Sequence, residues 1–181
     1  MPTYERILVA LDFSRCARDV ALHGVELARA FGAIVHLVHV DTLPDGVPED
    51  ARIEVAPGEV EAAGPWMAGR TVERLRETFE PLFAARGVSV TSHVVSGPVA
   101  KRLIDAVEHF RADLIVMGTH GRQGVARLVL GSVAEDVMRR SPVPVVTVRT
   151  QHDDRCAAAN CAWCASARTG EEPLIDAETM G

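Results

Sequence analysis

Aromatic side chains are scarce: two Trp, one Tyr and five Phe are all that 181 residues contain. A core must therefore be built from Val, Leu, Ile and Ala, and the 48% apolar content is enough for one domain of ordinary size. Excess positive charge is missing too. The formal net charge of −6 argues against the basic face of a nucleic-acid binder, so no nucleic-acid partner is expected. No apolar run reaches the roughly 20 residues that cross a bilayer, so no membrane partner is expected either. The opening MPTYERILVALD lacks a basic flank, a separate apolar stretch and a small-residue cleavage site. A soluble, cytoplasmic protein is the expectation. Cys16 stands alone early in the chain and Cys156, Cys161 and Cys164 cluster late, which is not the distributed pattern of a disulfide framework.

What is present is an alternation of strand and helix signals. ERILVALD (5–12) is a short apolar run ending at a turn-like Asp-Phe-Ser, and residues 14–32 carry apolar side chains at helical spacing up to Gly32. AIVHLVHV (33–40) is a second strand. Residues 41–65, rich in Pro, Gly and acid, read as a loop, partly disordered, and 66–87 as a helix with Pro81 as a kink or break. VSVTSHVVS (88–96) is a third strand, Gly97-Pro98 opens a helix, and ADLIVMG (112–118) is the fourth and most apolar strand. A helix over 132–140 and the strand VPVVTVR (143–149) complete the order βαβαβαβαβ. Strands apolar throughout and joined by helices predict an α/β fold, an open five-stranded parallel sheet with helices on both faces, Rossmann-like and doubly wound. Ligands of such sheets bind beyond the carboxyl ends of the strands, where strand order reverses.

One such end opens GTHGRQGVARLVLGS (118–132), with four glycines in fifteen residues. The spacing is neither GxxxxGK(S/T) nor GxGxxG. It is G-x2-G-x9-G-S/T, made by Gly118, Gly121, Gly131 and Ser132. Glycine at both ends of a loop lets backbone N–H groups approach an anion, and Gly131-Ser132 sets the positive end of the next helix beside it. Arg122 and Arg127 lie between and add charge. The alternative is purely structural: Ser132 with Glu135 three residues on forms a capping box, and the glycines turn a corner.

With this motif after the fourth strand, ILVALDFS at the start and SPVPVVTVR at the end, the chain resembles the universal stress protein family over about residues 3–149. Members that do not bind ATP usually lose the glycine spacing, which is kept here. The resemblance implies ATP, with Mg2+ as counter-ion, across the carboxyl edge of the sheet, adenine near the ends of strands one and two and phosphates in the glycine loop. Carried over by position, it implicates Ala10, Asp12, Val40, Met117, Gly118, Gly121, Gly131, Ser132 and Val133, beside which Arg122 adds its charge to the candidate site. Asp12 suits ribose hydroxyls, since one carboxylate accepts from both; its alternative role is to N-cap the helix that starts near Ser14. Val40 offers main-chain polar atoms to adenine, or is simply the last core residue of its strand. The resemblance also implies a homodimer, and an apolar last strand at the sheet's edge would need such a partner.

His120 in the loop and His23 in the first helix invite catalytic readings, but no Ser-His-Asp spacing and no paired carboxylates converge on the loop. Without a base for water, hydrolysis by positioning alone is slow. The expectation is a stress-response nucleotide switch or partner-binding module, at most a weak ATPase.

The tail after residue 149 departs from the family pattern. Residues 150–181 form an acidic, Cys-rich segment that holds four of the six excess negative charges, and HDDRCAAANCAWC has the spacing H-x3-C-x4-C-x2-C. His152, Cys156, Cys161 and Cys164 are soft ligands suited to a tetrahedral zinc knuckle. The same cysteines suit redox-sensitive thiols, and their spacing equals that of plant-type iron–sulfur ligands lacking a nearby fourth partner. A metal or redox sensor working through the tail is therefore the alternative function.

Overall fold

Five apolar runs form five parallel strands in the computed structural model, which describes residues 3–14, 17–42, 48, 50–119 and 131–148. In chain order the elements are β1 (Arg6–Ala10), α1 (Ala17–Phe31), β2 (Ile34–Asp41), β3 (Arg52–Ala56), β4 (Glu59–Ala62), α2 (Ala63–Ala84), β5 (Val90–Ser96), α3 (Val99–Phe110), β6 (Leu114–Gly118), α4 (Ser132–Arg140) and β7 (Val145–Val148). They belong to the unit Met1–Thr150; residues 151–181 lie outside the described residues.

The large sheet runs β5-β2-β1-β6-β7, every neighbouring pair parallel. Alternation of side chains across each strand fills two cores. Ile7, Val9, Leu37 and Val116 pack against Val25 of α1 and Leu75 and Phe83 of α2. Leu8, Val38, Ile115 and Met117 pack against Leu103 and Val107 of α3 and Val137 of α4. Burial on both faces is the reason these strands read as unbroken apolar runs. Strand order reverses between β1 and β6, so the crevice expected of such a sheet lies at their carboxyl ends.

Two readings of the sequence change. Residues 41–65 are not only a loop: β3 and β4 pair antiparallel as a hairpin. Its turn is Pro57-Gly58, with Gly58 at φ +80 and its N–H donated to Glu54 Oε1 at 3.0 Å. Pro81 does not break α2, which continues to Ala84. It falls in the last turn, where its missing N–H costs one bond and little helix remains to distort. Among the described residues no helix is long and apolar enough to cross a membrane.

Candidate functional site

The carboxyl ends of β1, β2 and β6 bring together the apolar part of the expected site. Ala10 ends β1 and stands opposite Met117 of β6 on one side and Val38 of β2 on the other. Val40 lies two residues beyond Val38 on the same face. Ala10, Val40 and Met117 all join the cluster beneath α3 and α4, Met117 buried and the other two half-buried. Ala10 and Val40 at this end are less buried than the middle of their strands.

Asp12 follows directly from β1. It is half-buried, and its Oδ1 accepts the N–H of Ser14 at 3.0 Å. Ser14 lies outside α1, whose Ala17 N–H bonds instead to the Ser14 carbonyl at 3.0 Å. Asp12 therefore makes a local Asx-type turn and does not cap the helix as the alternative reading required. Its Oδ2 has no partner among the described residues.

The glycine motif is described at its two ends. Gly118 closes β6, and Thr119 donates its N–H to Val148 at 3.1 Å. Gly131 donates its N–H to the Thr119 carbonyl at 2.8 Å, so the chain returns to the point it left. Gly121, Arg122, Arg127 and His120 lie outside the described residues.

The capping-box reading of Ser132 fails. The N-cap of α4 is Gly131, with φ −60, ψ 142 and no side-chain cap bond, and Ser132 is already the first helical residue. One position further along, its hydroxyl is placed outside capping geometry, and it has no partner among the described residues. The first intrahelical bond runs from Glu135 N–H to the Gly131 carbonyl at 3.0 Å, so the N–H groups of Ser132, Val133 and Ala134 precede the ladder. Ser132 and Val133 are both exposed.

The arrangement places half-buried apolar residues, a carboxylate whose Oδ2 has no partner among the described residues and a helix amino terminus at the carboxyl ends of the strands. That sequence of surfaces suits a flat apolar ring, hydroxyls and an anionic group. His23 plays no part in it: exposed on α1, it donates Nδ1–H to the Asp19 carbonyl at 2.8 Å. His152, Cys156, Cys161 and Cys164 lie outside the described residues, among which no cluster of three or more His, Cys, Asp or Glu side chains could hold a metal ion. Sequence reasoning missed His39 and Phe13, which hold the chain on either side of Asp12. Their only signal was a polar His inside an apolar strand.

Residues 3–149 match the universal stress protein family. Universal stress protein MJ0531 of Methanocaldococcus jannaschii is 31% identical over 148 residues, covering 81% of this chain and 82% of that relative. Among solved structures, MJ0577 of the same organism superposes with a TM-score of 0.66 at 24% identity, over 84% of this chain and 100% of that one. A universal stress protein in complex with cAMP gives a TM-score of 0.60 at 21% identity, over 83% of this chain and 100% of that one.

Proposed function

The chain belongs to the universal stress protein family, and on that footing we propose that its strand-end crevice binds ATP. Adenine lies over Ala10, Val40 and Met117, the ribose hydroxyls bond to Asp12, and the phosphates meet Gly118, Gly121, Gly131, Ser132 and the Val133 amide, with Arg122 adding charge. The observation that carries this reading is the amino end of α4. Gly131 caps the helix without a side chain, Ser132 keeps its hydroxyl, and the first three N–H groups precede the ladder. Such an end attracts an anion through its dipole and its donors together. The cAMP complex of a neighbour with this fold supports an adenine nucleotide as the ligand class.

With no base assigned to water, the bound nucleotide acts as a switch for partner binding in a stress response, hydrolysed slowly at most. The chain works as a homodimer paired through β7, an edge strand of the sheet. Calorimetric titration of the full chain with ATP, ADP, AMP and cAMP tests the reading. One ATP per chain, bound more tightly than AMP, is expected. Equal affinity for ATP and AMP would remove the phosphates from the glycine motif, and no binding at millimolar ATP would end the proposal.

A second reading rests on the tail. We assign residues 1–149 to the nucleotide domain and 150–181 to a separate segment in which His152, Cys156, Cys161 and Cys164 chelate zinc at their H-x3-C-x4-C-x2-C spacing. Elemental analysis of protein made in reducing, zinc-supplemented medium should give one zinc per chain. Its absence leaves the cysteines as free thiols open to oxidation.

A further inference from the structure

We infer that His39 is a positioning residue for the nucleotide site, clamping the chain on both sides of Asp12; the inference rests on the reading of Asp12 as the ribose-hydroxyl acceptor. His39 lies on β2 and is only 8% exposed. It faces the α1 and α2 side of the sheet, opposite to the face that carries Ala10, Val40 and Met117. A carbonyl can only accept, so the imidazole Nδ1 carries the proton that bonds to the Leu11 carbonyl, at 2.6 Å. The Leu11 N–H is held as well, by the Val38 carbonyl at 3.0 Å.

The other neighbour of Asp12 is held by the same ring. Phe13 packs on His39 with centroids 4.8 Å apart, on Phe79 at 6.0 Å, and beneath the Arg74 guanidinium at 4.6 Å. Its backbone has φ +54, a left-handed conformation that a bulky side chain adopts only when its surroundings impose it. That turn carries Ser14 back so that its N–H reaches Asp12 Oδ1. On its far side His39 Nε2 lies 3.9 Å from Asp41 Oδ1, beyond hydrogen-bond reach, and Asp41 Oδ2 accepts the Thr71 hydroxyl of α2 at 2.9 Å. Contacts thus run from Phe79 and Arg74 of α2 through Phe13 and His39 to the backbone flanking Asp12, and holding Oδ1 on Ser14 leaves Oδ2 to meet the ribose.

The test uses the full chain with three substitutions. His39→Leu keeps the volume but removes the donor, His39→Gln restores a donor, and Phe13→Leu removes only the ring contact. The first readout needs no nucleotide: hydrogen exchange at the Ser14 amide reports whether Asp12 still holds it. Exchange about tenfold faster in His39→Leu is expected, with His39→Gln close to wild type and Phe13→Leu between them. The second readout is the ratio of affinities for ATP and 2′,3′-dideoxy-ATP. Wild type should prefer ATP, and His39→Leu should bring the ratio towards unity while affinity for the dideoxy nucleotide stays unchanged. A merely structural loss would weaken both nucleotides alike. Wild-type Ser14 exchange in a folded His39→Leu protein overturns the clamp. If His39→Leu does not fold, wild-type exchange in Phe13→Leu overturns it. A wild-type protein that binds both nucleotides equally refutes the role of Asp12, whereas the exchange result still decides whether His39 holds it.

Discussion

Gly131 and Thr119 are joined by a 2.8 Å hydrogen bond, N–H to carbonyl, so that the amino end of α4 is fastened directly to the carboxyl end of β6. On the proposed reading, this bond would set where the phosphates lie relative to the sheet. Gly131 has φ −60 and ψ 142, a conformation any residue adopts, so no backbone strain requires glycine there. Gly131→Val should fold normally and retain the bond to Thr119. Its isopropyl group would stand where phosphate oxygens approach the N–H groups of Ser132 and Val133. An ATP affinity at least about tenfold lower is expected, since charge-assisted bonds to an anion are the strong ones. An unchanged dissociation constant, with a wild-type circular dichroism spectrum, would sink the phosphate assignment.

The edge position of β7 makes a prediction about assembly. Pro144 and Val148 accept N–H groups from Ile115 of β6 and from Thr119, the residue that follows it. With a period of two along the strand, Val145 and Thr147 turn their backbone polar groups away from the sheet. If two copies pair through this edge, Thr147→Pro removes an outward N–H without touching the ladder to β6. Wild type should sediment at twice the 19.5 kDa chain mass at micromolar concentration, and Thr147→Pro at the single-chain mass. A wild-type monomer, or a dimer indifferent to the proline, would move the interface elsewhere.

A pH dependence follows from two histidines outside the nucleotide site. His36 Nδ1 lies 3.2 Å from His93 Nε2, and Phe110 stacks on His36 at 4.6 Å and lies tilted against His93 at 4.2 Å. Burial holds both below the usual value of 6.5, helped at His36 by Arg6 and His109 and at His93 by His36, His109 and Arg76. A lowered folded pKa means the fold prefers the neutral ring. The associated stability is therefore complete above about pH 6.5 and is lost as pH falls through the folded values. The melting temperature should drop between pH 7.5 and pH 5.0, and by less in His93→Gln. Identical drops in the two proteins would place the acid sensitivity in other groups.

The sheet was legible because its strands are buried on both faces and its helices are amphipathic; both leave a period in the sequence. The hairpin β3–β4 was not. Its strands, RIEVA and EVEA, are too short and too charged to stand out, and Pro57-Gly58 between them was absorbed into a general turn signal. The helix over 132–140 was legible to the residue; only the capping-box alternative put Ser132 one position early, because a glycine caps α4 and S-x-x-E looks the same whether the serine caps the helix or begins it. His39 was illegible for a different reason: its partner is a backbone carbonyl 28 residues away, and side chain-to-backbone bonds leave no pattern in the residue types.

The last prediction concerns why Gly24 lies in the middle of α1. A Cβ built there would stand 2.7 Å from Val9 Cγ2 and 3.7 Å from Phe83 Cζ. Val9 is fully buried on a central strand and has no long side chain to swing aside. The helix thus lies on β1 at a separation only glycine permits. Two effects oppose each other in Gly24→Ala. Helix propensity favours Ala by about 1 kcal/mol, whereas overpacking a filled core costs about 1–3 kcal/mol. The clash should win, with a net loss of about 1 kcal/mol. Gly69 of α2 supplies the control, because a Cβ there meets nothing within 4 Å. Gly69→Ala should raise stability by about 0.5–1 kcal/mol through propensity alone. Urea unfolding of the two variants measures both, and the opposite signs are the test. If Gly24→Ala is as stabilising as Gly69→Ala, α1 has room to lift from the sheet and the close approach to Val9 is not required.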